Sequence, residues 1–219
     1  MNYLTILKNV IGDLDQVTLQ KEMLVSNKND DKIYHLILSD MPDVLVGHTF
    51  FNLSNVLKIM EETYDEIVEE GNENNGVLYF KRKNSSIKQP FSKNVSSKNI
   101  VKMKSFLEKQ ESDTDVIEFD LTVADVTEIK KFQAMFKTNK FNIVSRKNPT
   151  SDELDLFLEI KGLDEDGYEK KVGTTNFKIN DELDTLPNGS VKIKYHTKKS
   201  VIEVKTENVT IFKLPPFNN

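Results

Sequence analysis

The stretch FDLTVADVTEIKKFQAMFKTNKFNIVSRK, residues 119–147, carries the pattern that decides the fold. Residues 115–123 alternate between apolar and polar side chains, which predicts a strand with one buried face. Thr127 is the predicted N-cap of the helix that follows, and a second strand is predicted near 140–145. The apolar residues of this helix recur at helical spacing: Ile129, Phe132, Met135 and Phe136.

The first half of the chain contains a similar arrangement. Residues 3–11 form an amphipathic helical pattern, and Asn52 or Ser54 is the predicted cap of a second helix. The apolar side of that second helix carries Leu53, Val56, Leu57, Met60 and Tyr64. Strands are predicted at 16–25, 33–39, 44–51, 76–82 and 86–91.

The second half continues in the same way beyond the quoted stretch. Strands are predicted near 153–161, 168–177, 190–197, 200–206 and 208–214, with a short helix near 179–185. The duplication predicts an α+β fold with two similar domains, each with two helices on antiparallel sheet. The predicted parts are a first domain at 1–98, an interdomain connector at 99–113 and a second domain at 114–219.

The composition favours a soluble globular protein. The 219 residues have a formal net charge of -5, 37% hydrophobic and 30% charged residues, and a mean hydropathy of -0.48. No window approaches the length of apolar sequence that a transmembrane helix needs. Asp13 and Asp15 come too early for a signal peptide, so we expect a cytoplasmic location. A pI near 5.4 argues against tight, nonspecific wrapping of DNA.

The residue patterns that most catalysis requires are missing or scattered. The chain has no cysteine, which excludes disulfides, thiolate metal sites and cysteine nucleophiles. It has no Walker, G-x-G-x-x-G or G-x-S-x-G motif. His35, His48 and His196 share no metal-binding spacing and are interpreted as strand histidines. The acidic run at 164–167 predicts a hairpin turn in preference to a calcium loop. We therefore expect no catalysis, no cofactor and no metal.

Charge is segregated along the first half. Residues 61–73 contain seven acidic residues and no basic one, whereas residues 81–104 contain eight basic residues and no acidic one. The basic stretch has two interpretations: a surface for an acidic partner or a template strand, or a solvated lysine-rich linker. The linker is the preferred one.

Residues 119–147 resemble the start of the second domain of the DNA polymerase sliding clamp of T-even-type bacteriophages, with the sharpest match at Val126–Lys130. The ending FKINDELDTLPNGSVKIKYHTKKSVIEVKTENVTIFKL, residues 177–214, resembles the closing helix, turn and three strands of that clamp. The beginning LTILKNVIGDLDQVTLQKEMLVS, residues 4–26, is similar to its first helix and strand. The resemblance implies two clamp-type domains per subunit and a homotrimeric ring with duplex DNA through its middle.

The same resemblance implies a noncatalytic processivity factor for viral DNA replication, in the cytoplasm of an infected bacterial host cell. Its implied partners are double-stranded DNA without sequence specificity, the DNA polymerase and a clamp loader, with no membrane. Support of late transcription through RNA polymerase-associated factors is an open extension. The alternative is a noncatalytic α+β interaction or structural module of a phage replisome or virion. A trimer in solution would favour the ring, and a strict monomer would favour the module.

In such a ring, lysines on the helices that line the bore would contact phosphate without reading bases. The helix at 127–138 places three lysines on one face, although an ordinary solvated face is the alternative. Glu61 and the acids after it would weaken the attraction of the second helix for phosphate. The candidate DNA-binding residues are Lys8, Lys58, Lys130, Lys131 and Lys137.

Clamps of this family also bind short hydrophobic peptides of their partners beside the connector and the C-terminal strand. In this chain the resemblance assigns that role to Phe106, Leu107, Leu214 and Phe217. The alternative is that these residues only fix the connector to the second domain.

Overall fold

The computed structural model describes residues 2–93, 100–111, 113–162, 166–184 and 186–215, apart from residues 11, 13, 15, 28 and 30. The chain divides into two compact units. Residues 1–112 and 207–211 form the first unit, and residues 113–206 and 212–219 form the second. Each unit has helical and antiparallel-sheet elements, which confirms the predicted α+β fold class.

The first unit contains three α-helices and seven strands among its described residues. The helices are α1 (Tyr3–Val10), α2 (Leu53–Met60) and α3 (Ile100–Glu111), and a short 3-10 helix spans Asp43–Leu45. The strands are β1 (Val17–Thr18), β2 (Glu22–Ser26), β3 (Lys32–Ile37), β4 (Thr49–Phe50), β5 (Glu66–Gly71), β6 (Asn75–Arg82) and β7 (Ser85–Ser92). Five strands form one sheet in the order β1-β4-β7-β6-β5, and β2 pairs with β3.

The core of the first unit lies between α1, α2 and the sheets. Leu7 of α1 and Val56 of α2 are fully buried, as are Phe50 and Phe80 of the five-stranded sheet. Each such side chain contributes about 1.5–3 kcal/mol through burial. The apolar stripes predicted for the two helices therefore face this core.

The second unit has one α-helix and seven complete strands among its described residues. They are β8 (Val116–Leu121), α4 (Val123–Met135), β9 (Phe141–Lys147), β10 (Leu154–Lys161), β11 (Gly167–Thr175), β12 (Asn180–Leu183), β13 (Val191–His196) and β14 (Val201–Lys205). One sheet has the order β11-β10-β9-β12, and β13 pairs with both β8 and β14. The last strand, β15 (Val209–Lys213), spans the division between the two units.

The predicted cap of α4 is wrong. The helix begins five residues earlier than predicted, with Thr122 as its N-cap. The Thr122 hydroxyl accepts a hydrogen bond from the N–H of Asp125 at 3.2 Å, and the Asp125 carboxylate accepts one from the N–H of Thr122 at 2.9 Å. This reciprocal capping box satisfies two N–H groups at once, whereas Thr127 donates its hydroxyl to the carbonyl of Val123 inside the helix. In α2, the predicted cap Asn52 is confirmed.

The short helix predicted near 179–185 is also wrong. Asn180–Leu183 forms strand β12, which pairs antiparallel with β9. Ile179 and Leu183 are both buried, and pairing with an existing strand satisfies the main chain of a segment too short for a stable helix.

Three further differences lie in the first unit. The alternating segment predicted at 44–51 is largely a 3-10 helix and a turn before the two-residue strand β4. Strand β5 was not predicted, because neither its sequence nor its burial alternates: Ile67 and Val68 are adjacent and half-buried between exposed glutamates. Helix α2 ends at Met60, and Tyr64 packs its ring against that of Phe80, with centroids 5.1 Å apart.

The capping box of α4 predicts a specific pattern of stability. Thr122→Ala should lower the free energy of unfolding by about 1 kcal/mol, because it removes a side-chain cap. Thr127→Ala is the matched control, since its hydroxyl bonds a carbonyl that the helix already uses, and it should change the stability little. Urea denaturation of both variants measures the difference, and an equal loss in the two would contradict the cap at Thr122.

Candidate nucleic-acid interface and partner surface

Helix α4 is fixed at its N-terminus by charge as well as by its cap. The Asp125 carboxylate forms an ion pair with Lys170 of β11 in addition to the capping box. The hydrogen bond from Lys170, followed by that from the N–H of Thr122, lowers the pKa of Asp125 to about 2. A carboxylate in the first turn also interacts favourably with the helix dipole. The cap and the ion pair therefore fix the N-terminal end of α4 beside β11.

The exposed face of α4 has little charge. Val126, Ile129 and Gln133 are buried, and Gln133 donates its side-chain amide to the carbonyls of Asn139 and Asp184. Met135 was predicted in the core, but it is 59% exposed, because Gln133 takes the buried position of that turn. The exposed face consists of Val123, Ala124, Thr127, Glu128, Lys131, Ala134 and Met135.

The three lysines of this region have different surroundings. Lys131 is exposed on the face just described. Lys130 is half-buried, and its ammonium donates a hydrogen bond to the side chain of Asn188. Burial lowers the pKa of Lys130. Lys130 is thus bonded to the turn before β13, whereas the exposed Lys131 side chain is accessible to a ligand.

Lys137 ends the helix in a left-handed conformation, with φ of 52°. The N–H of Thr138 donates to the carbonyl of Gln133 at 2.9 Å, and that of Lys137 to the carbonyl of Ala134 at 3.3 Å. This is the Schellman pattern, which usually has glycine at the left-handed position. The left-handed conformation of a lysine at this position lowers the stability by about 1 kcal/mol. The Lys137 side chain is exposed, so a cation lies at the end of the helix.

Two candidate lysines belong to the first unit. Lys8 of α1 forms an ion pair with Glu61, the C-cap residue of α2. Lys58 of α2 is exposed on the polar side of its helix. Glu61 thus pairs with Lys8. The prediction expected the acids after α2 to weaken the attraction of the helix that carries Lys58 for phosphate.

The segregated charges of the first half meet in the five-stranded sheet. Residues 81–82 and 85–92 belong to β6 and β7, where strands were predicted at 76–82 and 86–91, so the linker interpretation of the basic stretch is wrong for them. Strand β5 pairs with β6, which brings the acidic run beside the basic one. Three ion pairs result: Glu62–Arg82, Glu66–Lys81 and Glu69–Lys93. Part of this charge is therefore paired within the unit.

The candidate partner-binding residues are partly exposed. Phe106 and Leu107 lie on α3 and are half-buried, and so is Leu214 after β15. Phe217 lies outside the described residues. Half-buried apolar side chains keep surface that a peptide is able to cover.

The sheets of the two units differ in how their edges are completed. In the first unit, residues 207–211 lie beside β3 in the sheet. The N–H of Ile37 donates to the carbonyl of Asn208 at 2.9 Å. Strand β4 pairs with β7 only at Ser92, so no described strand covers that edge of β7 before Ser92. In the second unit, β11 is an edge strand. Sequence reasoning missed these two edges, because pairing between distant strands leaves no local signal.

The histidines lie in or beside strands. His35 belongs to β3 and His196 to β13, as predicted, and His48 directly precedes β4. Among the described residues, no group of three or more histidine or acidic side chains is arranged to hold a metal ion. No helix in the described part of the chain is long and apolar enough to cross a membrane.

Solved structures similar to this one are sliding clamps. The Proliferating Cellular Nuclear Antigen of Entamoeba histolytica superposes with a TM-score of 0.58 at 14% identity, over 98% of this chain and 95% of its own. The PCNA2–PCNA3 complex of Sulfolobus tokodaii gives a TM-score of 0.55 at 8% identity, with coverage of 98% and 95%. The chain covers 56% of the β sliding clamp of Caulobacter crescentus, with a TM-score of 0.51 at 7% identity.

No known family profile and no curated protein matches the sequence. The structural likeness alone therefore carries the assignment, and at these identities it establishes the fold. The chain has the fold of the sliding clamps.

Proposed function

We propose that this protein is a sliding clamp, a noncatalytic processivity factor that encircles duplex DNA and tethers a replicative DNA polymerase. Dissociation would then require opening of the ring instead of loss of local contacts. The fold supports this proposal, and the carrying observation is the pair of open strand edges, β7 and β11.

The internal repeat suggests how these edges are completed. Strands β3 and β11 are equivalent, since each is the third strand after the first helix of its repeat. The edge of β3 is covered by residues 207–211, from the last strand of the second repeat. The equivalent last strand of the first repeat is β7. We therefore infer that β7 of one copy covers β11 of the next copy.

Such a contact joins two different surfaces, so it is heterologous and closes into a ring when the rotation between copies allows. The opposite edge of the first sheet, β5, carries Glu66, Glu69 and Glu70, and charged edges discourage strand pairing. Strand β7 exposes Ser85, Ser86 and Ile87 at its start, followed by Lys88 and Pro90. Its first three residues, which carry neither a charge nor a proline, fit pairing with another chain.

If the ring forms as proposed, a charged substitution on the exposed edge of β7 should change the mass of the particle in solution. The wild-type chain should form a trimer of about 76 kDa, three times the 25.2 kDa of one chain. Ile87→Lys should shift the protein to the monomer, because it places a charge on the edge that the next copy covers. Analytical ultracentrifugation at micromolar concentration measures this shift.

Phe51→Ser is the matched control, since Phe51 is a 63% exposed apolar residue outside both edges, and its trimer should persist. A trimer that survives Ile87→Lys unchanged would remove β7 from the contact. A wild-type protein that is a strict monomer would favour the interaction module over the clamp.

Within the ring, we assign the phosphate contacts mainly to Lys58, Lys131 and Lys137, which are exposed on or beside helices. Lys8 and Lys130 already have partners, so we assign them a supporting role. Few contacts of this kind give weak, sequence-independent attraction, which permits sliding.

This assignment predicts weaker DNA binding without loss of assembly. The double variant Lys131→Glu/Lys137→Glu should bind a labelled duplex several-fold more weakly in low salt, because exposed contacts are individually worth about 0.2–1 kcal/mol. Lys147→Glu/Lys199→Glu changes the same charge at exposed positions of the second unit away from α4, and its binding should stay closer to wild type. Fluorescence anisotropy at several salt concentrations measures both variants, and equal losses would refute the assignment to α4.

We further propose that Phe106 and Leu107 of α3, together with Leu214 and Phe217, bind a hydrophobic peptide of the polymerase. Phe106→Ala should then weaken binding of the C-terminal peptide of the replicative polymerase at least tenfold, because a buried aromatic anchor carries much of the energy of such contacts. Lys104→Ala is the control on the same helix, where Lys104 is exposed. Calorimetric titration of the assembled protein distinguishes them, and normal binding by the Phe106 variant would exclude this surface.

The finer parts of the proposal come from the sequence resemblance alone. They are the T-even-type bacteriophage, the clamp loader as a partner and the infected bacterium as the location. Support of late transcription stays a prediction of the same resemblance.

A further inference from the structure

The turn before β13 contains an asparagine that is followed directly by a glycine. The chain has two such pairs, Asn188–Gly189 in this turn and Asn75–Gly76 in β6. Glycine has no Cβ, so its main-chain nitrogen is able to approach the side-chain amide of the preceding asparagine closely. Attack of that nitrogen on the amide carbon closes a five-membered ring. The clamp function proposed above uses neither pair.

The two glycines differ in the space around them. A Cβ placed on Gly76 would lie 2.5 Å from the ring of Phe91 and 2.7 Å from the carbonyl of Glu70. Gly76 is also paired on both sides, since its partners in the sheet are Gly71 and Phe91. Gly189 has a positive φ of 105°, outside the strand conformation, and no described atom lies within 4 Å of the equivalent position. The turn therefore leaves room for ring closure, whereas the enclosed main chain of β6 does not.

The amide of Asn188 also contacts a cation. Asn188 is exposed, and the ammonium of Lys130 on α4 donates a hydrogen bond to its Oδ1 atom. A lysine has only donors, so the oxygen of the amide, and not its nitrogen, faces Lys130. When the amide carbon is attacked, negative charge develops on this oxygen, and a cation at hydrogen-bond distance stabilises it. The oxygen of Asn75 instead accepts a hydrogen bond from the neutral hydroxyl of Ser92, at 2.9 Å.

We propose that Asn188 is a site of slow intramolecular modification, at which Lys130 accelerates the conversion of the amide to a carboxylate. The nitrogen of Gly189 loses its proton to hydroxide and forms a bond to Cγ of Asn188. The bond between Cγ and Nδ2 breaks, and Nδ2 takes up a proton from water and leaves as ammonia. Water then opens the cyclic imide at either of its two carbonyls, which gives aspartate or isoaspartate. Nothing is oxidised or reduced, and water is the co-reactant.

The product changes the surroundings of Lys130. A carboxylate at position 188 replaces the neutral oxygen beside the ammonium, so the hydrogen bond becomes an ion pair. The formal net charge of the chain falls from -5 to -6, because one neutral amide becomes one negative group. In isoaspartate the main chain also gains one carbon atom directly before β13. The effect on DNA is the step that rests on the proposed function: a paired Lys130 adds less attraction for phosphate, so the surface of α4 loses a cation as the protein ages.

Mass spectrometry of the full-length wild-type protein tests the site without any variant. The protein is incubated for days at about pH 8 and 37 °C, and each conversion of the thermolabile asparagine adds about 1 Da. Fragmentation of the tryptic peptides 179–192 and 59–81 locates the change. Asn188 should convert several-fold faster than Asn75 in the folded protein. In guanidinium chloride the two rates should become similar, because the difference comes from the fold. Equal rates in the folded protein would overturn the proposal.

Lys130→Met tests the role of the cation. Loss of the charge should slow the conversion of Asn188 by about two- to fivefold, since a charge interaction at the protein surface is modest in size. Lys199→Met is the matched control, because it removes the same charge from an exposed turn of the second unit, and its rate should match the wild type. A rate that is unchanged or raised in Lys130→Met would refute the assistance by Lys130.

Asn188→Asp reproduces one of the two products. Burial lowers the pKa of Lys130 in the wild type. The carboxylate should raise the pKa of Lys130 above its wild-type value, because a neighbouring opposite charge favours the ammonium. NMR titration of the lysine ε-carbon in the full-length protein measures this pKa, and an unchanged value would contradict the ion pair. These measurements involve neither DNA nor the ring, so failure of the modification and failure of the clamp are distinguishable.

Discussion

Completion of strand edges is the constraint on which this structure depends. Every strand exposes N–H and C=O groups along its sides, and an edge without a partner invites pairing with another chain. The first unit satisfies the edge of β3 with residues 207–211, which arrive from the far end of the sequence. The equivalent edge at β11 and the partner strand β7 remain open among the described residues. In the proposed ring, the edge of β11 is completed by β7 of the next copy.

Electrostatics have a smaller role in the proposed bore than the lysine content of the chain suggests. Glu66 of β5 is paired with Lys81 of β6, and Lys8 is paired with Glu61. The exposed face of α4 is made mostly of small and apolar side chains around Lys131. A ring with such a lining attracts DNA weakly, so its hold on DNA would come from closure. This agrees with the acidic pI of the whole chain.

Much of the fold follows from local sequence patterns. The helices α1 and α2, the cap at Asn52 and most strands of the second unit lie where periodicity predicts them. Two of the errors share one physical origin, because they occur where distant contacts outweigh local preference. Residues 180–183 become a strand through pairing with β9, and Gln133 replaces Met135 in the core through bonds to two carbonyls. The candidate lysines were identified by type, but their partners, such as Asn188 for Lys130, lie far away in sequence.

The central claim is that copies of this chain close into a ring. Electron microscopy of the full-length protein at micromolar concentration tests it most directly, because averaged images show the outline of the particle without any assumption about DNA or partners. The account predicts closed rings of three copies around an open channel. Compact single chains, or open filaments of copies joined edge to edge, would contradict it.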